Sequence, residues 1–180
     1  MIKKIILILF AIVIFLLITN KSVTEEIIIP NESIRIRVIA NSNTIEDQNL
    51  KRKVKLSIQK ELSEMLKDAK SVEDVRTILN SNLEGIKYTV SSTLNKENYK
   101  NMFYDVNYGY NFFPKKVYKG IKYDEGYYES IVIKIGEAQG DNWWCVLFPP
   151  LCLMDEYSED VDDVEYKSFV KELIDKFFKN

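Results

Sequence analysis

Apolar and polar positions recur with different periods in different parts of the chain, and those periods predict its elements. Residues Ile5 to Ile18 are 14 unbroken apolar positions with no period at all. Further on, Ile34, Ile36, Val38 and Ala40 alternate with Arg35 and Arg37. That period of two predicts a strand with one apolar face and one face carrying arginines. Leu50, Val54, Ile58, Leu62, Met65, Leu66 and Ala69 follow at helical spacing. Thr44 with Asp47 marks the start of that helix as a capping box with a short acid. Ser71 with Asp74 opens a second helix, whose stripe is Val75, Leu79, Leu83, Ile86, Val90 and Leu94. Gly85 weakens it by about 1 kcal/mol relative to alanine.

From Lys100 the period returns to two. Met102, Tyr104, Val106, Tyr108 and Tyr110 predict a strand with one aromatic face, ended by Asn111-Phe112-Phe113-Pro114. Tyr128 to Ile135 is the next strand, with Ile131, Ile133 and Ile135 on one face. Val117 to Gly126 connects the two and has room for an extra strand. Gly136 to Asp141 reads as a hairpin turn into a last strand that begins at Asn142. Val164 to Phe178 reads as an amphipathic helix behind an acidic stretch, Asp155 to Glu165, with seven acids and no lysine or arginine. A solvated loop and helix start is the plainer reading of that stretch, a cation or basic partner the sharper one. The order strand, helix, helix, antiparallel strands, helix predicts a single two-layer α+β domain over residues 34–180.

The apolar start changes the picture of where this domain resides. Lys3 and Lys4 precede it and Thr19-Asn20-Lys21 follow. At 1.5 Å per residue it is about 21 Å long, short of the roughly 30 Å hydrocarbon core and suited to a signal peptide. No A-x-A site follows, so residues 1–21 are a signal peptide or an uncleaved anchor, and 22–33 a linker. The domain is then exported, and touches the membrane only through this segment. A net charge of -2 leaves no basic field for nucleic acid. The cations Lys51, Arg52, Lys53, Lys55 and Lys60 read as a solvated helix face.

One run concentrates the rare residues. Asn142-Trp143-Trp144-Cys145-Val146-Leu147-Phe148-Pro149-Pro150-Leu151-Cys152 holds both tryptophans, both cysteines and two of the four prolines. Adjacent strand residues point to opposite faces, so Trp143 and Trp144 serve two different surfaces. The Pro-Pro pair stops the ladder. In an exported chain Cys145 and Cys152 are candidates for a disulfide, worth about 2.5 kcal/mol for so short a loop. Two buried thiols are the alternative.

Histidine is absent from the sequence. That excludes Ser-His-Asp and Cys-His catalysis within the chain and the common zinc sites. No Gly-rich phosphate loop is present. Ser57–Lys60 and Ser168–Lys171 have acyl-enzyme spacing but lack the companion motifs. No catalytic residue, metal or cofactor is expected. Recognition remains, with Asn142, Trp143 and Trp144 as the first candidate contact and Asn41, Ser42 and Asn43, after the first strand, as the second. The plain alternative for Asn41 to Asn43 is a turn and helix cap.

Two blocks resemble a known family. Arg35 to Asn43, reading R-I-R-V-I-A-N-S-N, with Asp47-Gln48 and Leu50-Lys51, is similar to the opening motif of the stage II sporulation protein R family. Phe113-Pro114-Lys115, Tyr118, Gly126, Tyr128-Glu129, Ile135-Gly136-Glu137 and Asn142 to Cys152 resemble its C-terminal motif. Arg37 stands where that motif usually has histidine, Asn43 where it has aspartate, and Asp124 near a usual proline. The lost histidine fits a non-catalytic role. The resemblance implies a signalling protein of endospore formation, exported from the forespore into the space between the two cells. There it would activate a membrane-embedded, sporulation-specific aspartic protease that processes the precursor of the mother-cell sigma factor, sigma-E. The competing readings are an exported envelope hydrolase using acidic residues and a cell-wall binding module.

Overall fold

The computed structural model describes residues 27–154 and 162–178. The expected leader and most of the acidic stretch lie outside the described residues. Among the described residues no helix is long and apolar enough to cross a membrane.

The elements are β1 (Ile34–Ile39), α1 (Ile45–Leu66), α2 (Val72–Lys96), β2 (Tyr104–Phe113), β3 (Lys116–Tyr118), β4 (Ile121–Tyr123), β5 (Gly126–Ile135), β6 (Asn142–Phe148) and α3 (Asp163–Phe178). A single 3₁₀ turn, Leu151–Met154, follows β6. Both predicted helix starts carry their caps. Thr44 accepts the Asp47 amide. Ser71 and Asp74 form a reciprocal capping box, which satisfies two of the donors a helix start leaves open. The architecture is the α+β one that the element order predicts.

The four-stranded sheet runs β2-β5-β1-β6, and β3 with β4 forms a separate two-stranded ribbon. One expectation fails here. Gly136 to Asp141 is not a tight hairpin between neighbours, because β1 lies between β5 and β6. β1 pairs parallel with β5, from Arg35↔Ser130 to Ile39↔Lys134. It pairs antiparallel with β6, with Arg37↔Trp144 and Val38↔Trp143. The connection therefore passes over the end of β1. The first strand becomes an interior strand, which is why Ile34, Ile36 and Val38 are all fully buried.

The helices α1 and α2 cover one face. Leu50, Val54, Ile58 and Leu62 of α1 and Val75, Leu79, Ile86 and Val90 of α2 pack on Ile36, Val38, Val106, Ile131, Ile133 and Ile135. Every one of these was placed on an apolar stripe by its period. The opposite face is covered as well. Ile121 and Tyr123 of β4, Val146 of β6, Ile29 and the apolar side of α3 (Tyr166, Val170, Ile174) form a second cluster there. Burying this second face removes Arg35 of β1 from solvent and leaves Arg37 half-buried.

Candidate functional site

The predicted candidate residues fall into two neighbouring assemblies. The first is a clasp between the β1–α1 turn and the β5–β6 connection. Asn41 Oδ1 accepts the Glu137 amide at 2.9 Å, while its Nδ2 donates to Asp47 Oδ2 at 2.8 Å. The Ser42 hydroxyl donates to the same Asp47 oxygen at 2.5 Å. Asn43 Oδ1 accepts the Asp141 amide at 2.6 Å. Gln48 Nε2 donates to the Ser42 carbonyl at 2.9 Å, and Lys51 Nζ donates to Gln48 Oε1 at 2.6 Å and to the Asp141 carbonyl at 2.9 Å.

Two glycines make the clasp possible. A Cβ on Gly140 would stand 2.2 Å from the Ser42 carbonyl oxygen. One on Gly136, where φ is +58°, would stand 2.1 Å from Asn41 Oδ1. Backbone approaches this close require glycine. The Ser42 hydroxyl and the Asn41 amide hold the Asp47 carboxyl below the ordinary carboxylate value. Lys51 corrects the expectation of a wholly solvated cationic face. It is buried by the returning loop, and that burial lowers its pKa.

The second assembly surrounds the tryptophans. β6 ends the sheet, so one side of the strand carries no neighbour among the described strands. Trp143 and Trp144 do point to opposite faces, and both are half-buried. Trp143 lies on the helix side, with Lys55 Nζ of α1 4.7 Å from its ring. Trp144 lies on the other side, edge-on to Phe113 at 5.6 Å and to Tyr123 at 5.0 Å. Lys116 Nζ is 5.2 Å from the Trp144 ring. Asn142 opens the strand opposite Ile39.

Cys145 and Cys152, a candidate disulfide with two thiols as the alternative, stand as two thiols. The Cys145 Sγ donates to the Val146 carbonyl at 3.5 Å and the Cys152 Sγ to the same oxygen at 2.9 Å. Their sulfurs are held on one acceptor rather than on each other.

Sequence reasoning missed the centre of this assembly. Arg35 is only 1 % exposed. Its guanidinium carbon sits 3.3 Å from the Tyr128 ring centroid, 5.4 Å from Phe113 and 5.5 Å from Trp144. Burying a cation costs several kcal/mol. Three ring faces offset part of that cost, at about 2 kcal/mol for a desolvated contact. Burial lowers the Arg35 pKa, with Tyr128 opposing. The available signal was the surplus of aromatics after Lys100, more than the helix-facing side of the sheet can absorb. Glu129 is a further residue missed. It is buried, receives both Arg76 Nε at 2.9 Å and the Tyr108 hydroxyl at 2.5 Å, and ties α2 to the sheet.

The residues of the two sequence motifs therefore meet in space. Asn41, Ser42, Asp47, Gln48 and Lys51 join Gly136 and Glu137 in the clasp, and Arg35 joins Phe113, Tyr128 and Trp144. Residues 30–158 match the family model described as stage II sporulation protein R. The chain is 38% identical over 162 residues to the stage II sporulation protein R of Bacillus subtilis (strain 168), covering 89% of this chain and 72% of that protein. No solved structure matches.

Proposed function

The chain belongs to the stage II sporulation protein R family, and on that premise we propose that it is an exported signal that activates a membrane-embedded aspartic protease during spore formation. Its role lies in sporulation, and the name printed for its family and its relative is not that of an enzyme. The finer reading is a ligand made in the forespore, acting between the two cells, whose binding leads to processing of the sigma-E precursor. The lack of histidine, which removes the commonest catalytic bases from the chain, supports a ligand over a hydrolase.

One observation carries the contact surface. Trp143 and Trp144 are half-exposed on the terminal strand β6, beside Asn142, with Lys55 and Lys116 over their rings. Aromatic anchors flanked by long polar side chains are the usual energetic centre of a protein interface. To activate, the ligand must bind the protease's active state more tightly than its inactive one, since equal affinity shifts nothing.

Trp143→Ala and Trp144→Ala test this, with precursor cleavage and thermal unfolding read on the same preparations. Trp144 helps enclose Arg35, so its truncation is expected to destabilise by about 3 kcal/mol. Trp143→Ala is expected to abolish activation while the domain stays folded. A folded Trp143→Ala variant that activates normally moves the contact away from this edge.

A further inference from the structure

The sheet ends in β2 on the side away from β6, and β5 is its one neighbour among the described strands. Tyr110 and Phe112 stand two apart on β2, and Phe112 pairs with Tyr127 of β5, so the three rings share one face. Phe112 and Tyr127 meet edge-on at 5.7 Å. Further along the strands α1 and α2 cover this face, yet Tyr110 and Tyr127 are 71 % and 72 % exposed and Phe112 48 %. Contiguous exposed aromatics on a folded surface mark a contact site. Tyr110 and Tyr127 also line an open hollow of about 450 Å³ with Glu32, from the turn before β1, and with Arg76, Glu125 and Glu129. Arg76, the cation among these lining residues, is already paired with Glu73 and Glu129. Glu32 and Glu125 are exposed, and their carboxylates have no hydrogen bond or ion pair with a described residue.

We propose that this face is a docking surface for a lysine- or arginine-bearing extended segment of a partner protein. Charge selects the partner. The hollow presents two unpaired carboxylates beside tyrosine rings, whose faces are negative and attract a cation set over them. Among the described residues no cation stands over Tyr110, Phe112 or Tyr127. An acidic partner is repelled by Glu32 and Glu125, and a wholly apolar one buries them unpaired. Among the described residues no group of three acidic or cysteine side chains could hold a metal ion, so an organic cation is the better match. The free side of β2 favours a peptide over a small amine, because an extended chain can pair with that edge while one of its side chains enters the hollow. The surface lies at the opposite edge of the sheet from Trp143 and Trp144, and it stands whether or not the chain activates a protease.

The test uses the purified full chain in a nonionic detergent and a fluorescently labelled peptide that alternates lysine with threonine, followed by anisotropy at constant ionic strength. Saturable binding is expected with the wild type, and none with the counterpart peptide that carries glutamate for lysine. Each position to be substituted is exposed, and thermal midpoints confirm that the variants are folded. Tyr110→Ala and Tyr127→Ala are each expected to weaken binding by about threefold. Glu32→Gln and Glu125→Gln are each expected to weaken it by about threefold as well. The acidic stretch Asp155 to Glu165 also attracts lysine, so the tyrosine variants, which leave the net charge unchanged, carry the decision. No saturable binding in the wild type overturns the surface, and so does binding that both tyrosine variants leave unchanged. Displacement of the peptide by tetramethylammonium at equal concentration overturns the peptide assignment in favour of a small amine or a lipid head group. Self-association of the wild type that the tyrosine variants abolish overturns it in favour of a second copy of the chain.

Discussion

The side-chain oxygen of Asn41 accepts the backbone amide of Glu137 at 2.9 Å, joining the end of β1 to the loop that leaves β5. The two residues are 96 positions apart. The same side chain donates to Asp47, so one amide satisfies a loop donor and a helix-start acceptor at once. Asn41→Ala leaves the Glu137 amide without this acceptor and removes one of the two side-chain donors to Asp47 Oδ2. The expected loss is about 1–2 kcal/mol, from one exposed and one part-buried hydrogen bond. Gly136→Ala is expected to cost at least as much, because φ is positive there and the new Cβ meets Asn41. Urea unfolding midpoints of the two variants check this. The double variant Asn41→Ala/Gly136→Ala should lose less than the two losses combined, since truncating Asn41 clears the space the methyl needs.

Asp47 gives the clasp a pH dependence. Its folded-state pKa is held below its ordinary 3.8, chiefly by the Ser42 hydroxyl. A group depressed in this way contributes stability above its unfolded value and loses that contribution as pH falls through the folded value. Wild type is therefore expected to exceed Asp47→Asn in stability at pH 7, with the gap closing as pH falls below about 4. Parallel unfolding curves for the two proteins from pH 7 to pH 2.5 measure the gap. A gap that stays constant over that range rules the carboxylate out as its source.

Gly85 lies inside α2, where a Cβ would make only ordinary contacts, 3.6 Å from Glu61 and 3.8 Å from Met65. No close approach requires glycine there. Gly85→Ala is expected to stabilise by about 0.5–1 kcal/mol through helix propensity and a less disordered unfolded chain. A raised thermal midpoint with unchanged precursor cleavage is the expected outcome.

What the sequence made legible follows from the range of each signal. Helical and strand periods act over a few residues, so the stripes of α1 and α2 and the opposite faces of Trp143 and Trp144 could be read directly. The caps at Thr44 and Ser71 are equally local. The parallel pairing of Ile36 with Ile131 is not, and it places β1 between β5 and β6 where adjacency along the chain predicted a hairpin. Arg35 and Arg37 show the same limit. Alternation correctly put them on one face, but Tyr123, Tyr128 and α3, which cover that face, come much later in the chain. The role of Asn41 to Asn43 was open between contact and cap. Their hydrogen bonds to Asp47, Glu137 and Asp141 place them in a clasp. Asn43 accepts there through an oxygen that an aspartate would also offer.

The central claim is that this chain is the activating ligand of a sporulation protease. It is tested most directly by co-expressing the full chain, the membrane-embedded aspartic protease and the sigma-factor precursor in a non-sporulating host, and following precursor cleavage by blot. Cleavage that depends on this chain, with no other sporulation protein present, is the predicted result. A folded, exported chain beside an intact protease, with the precursor uncleaved, contradicts it.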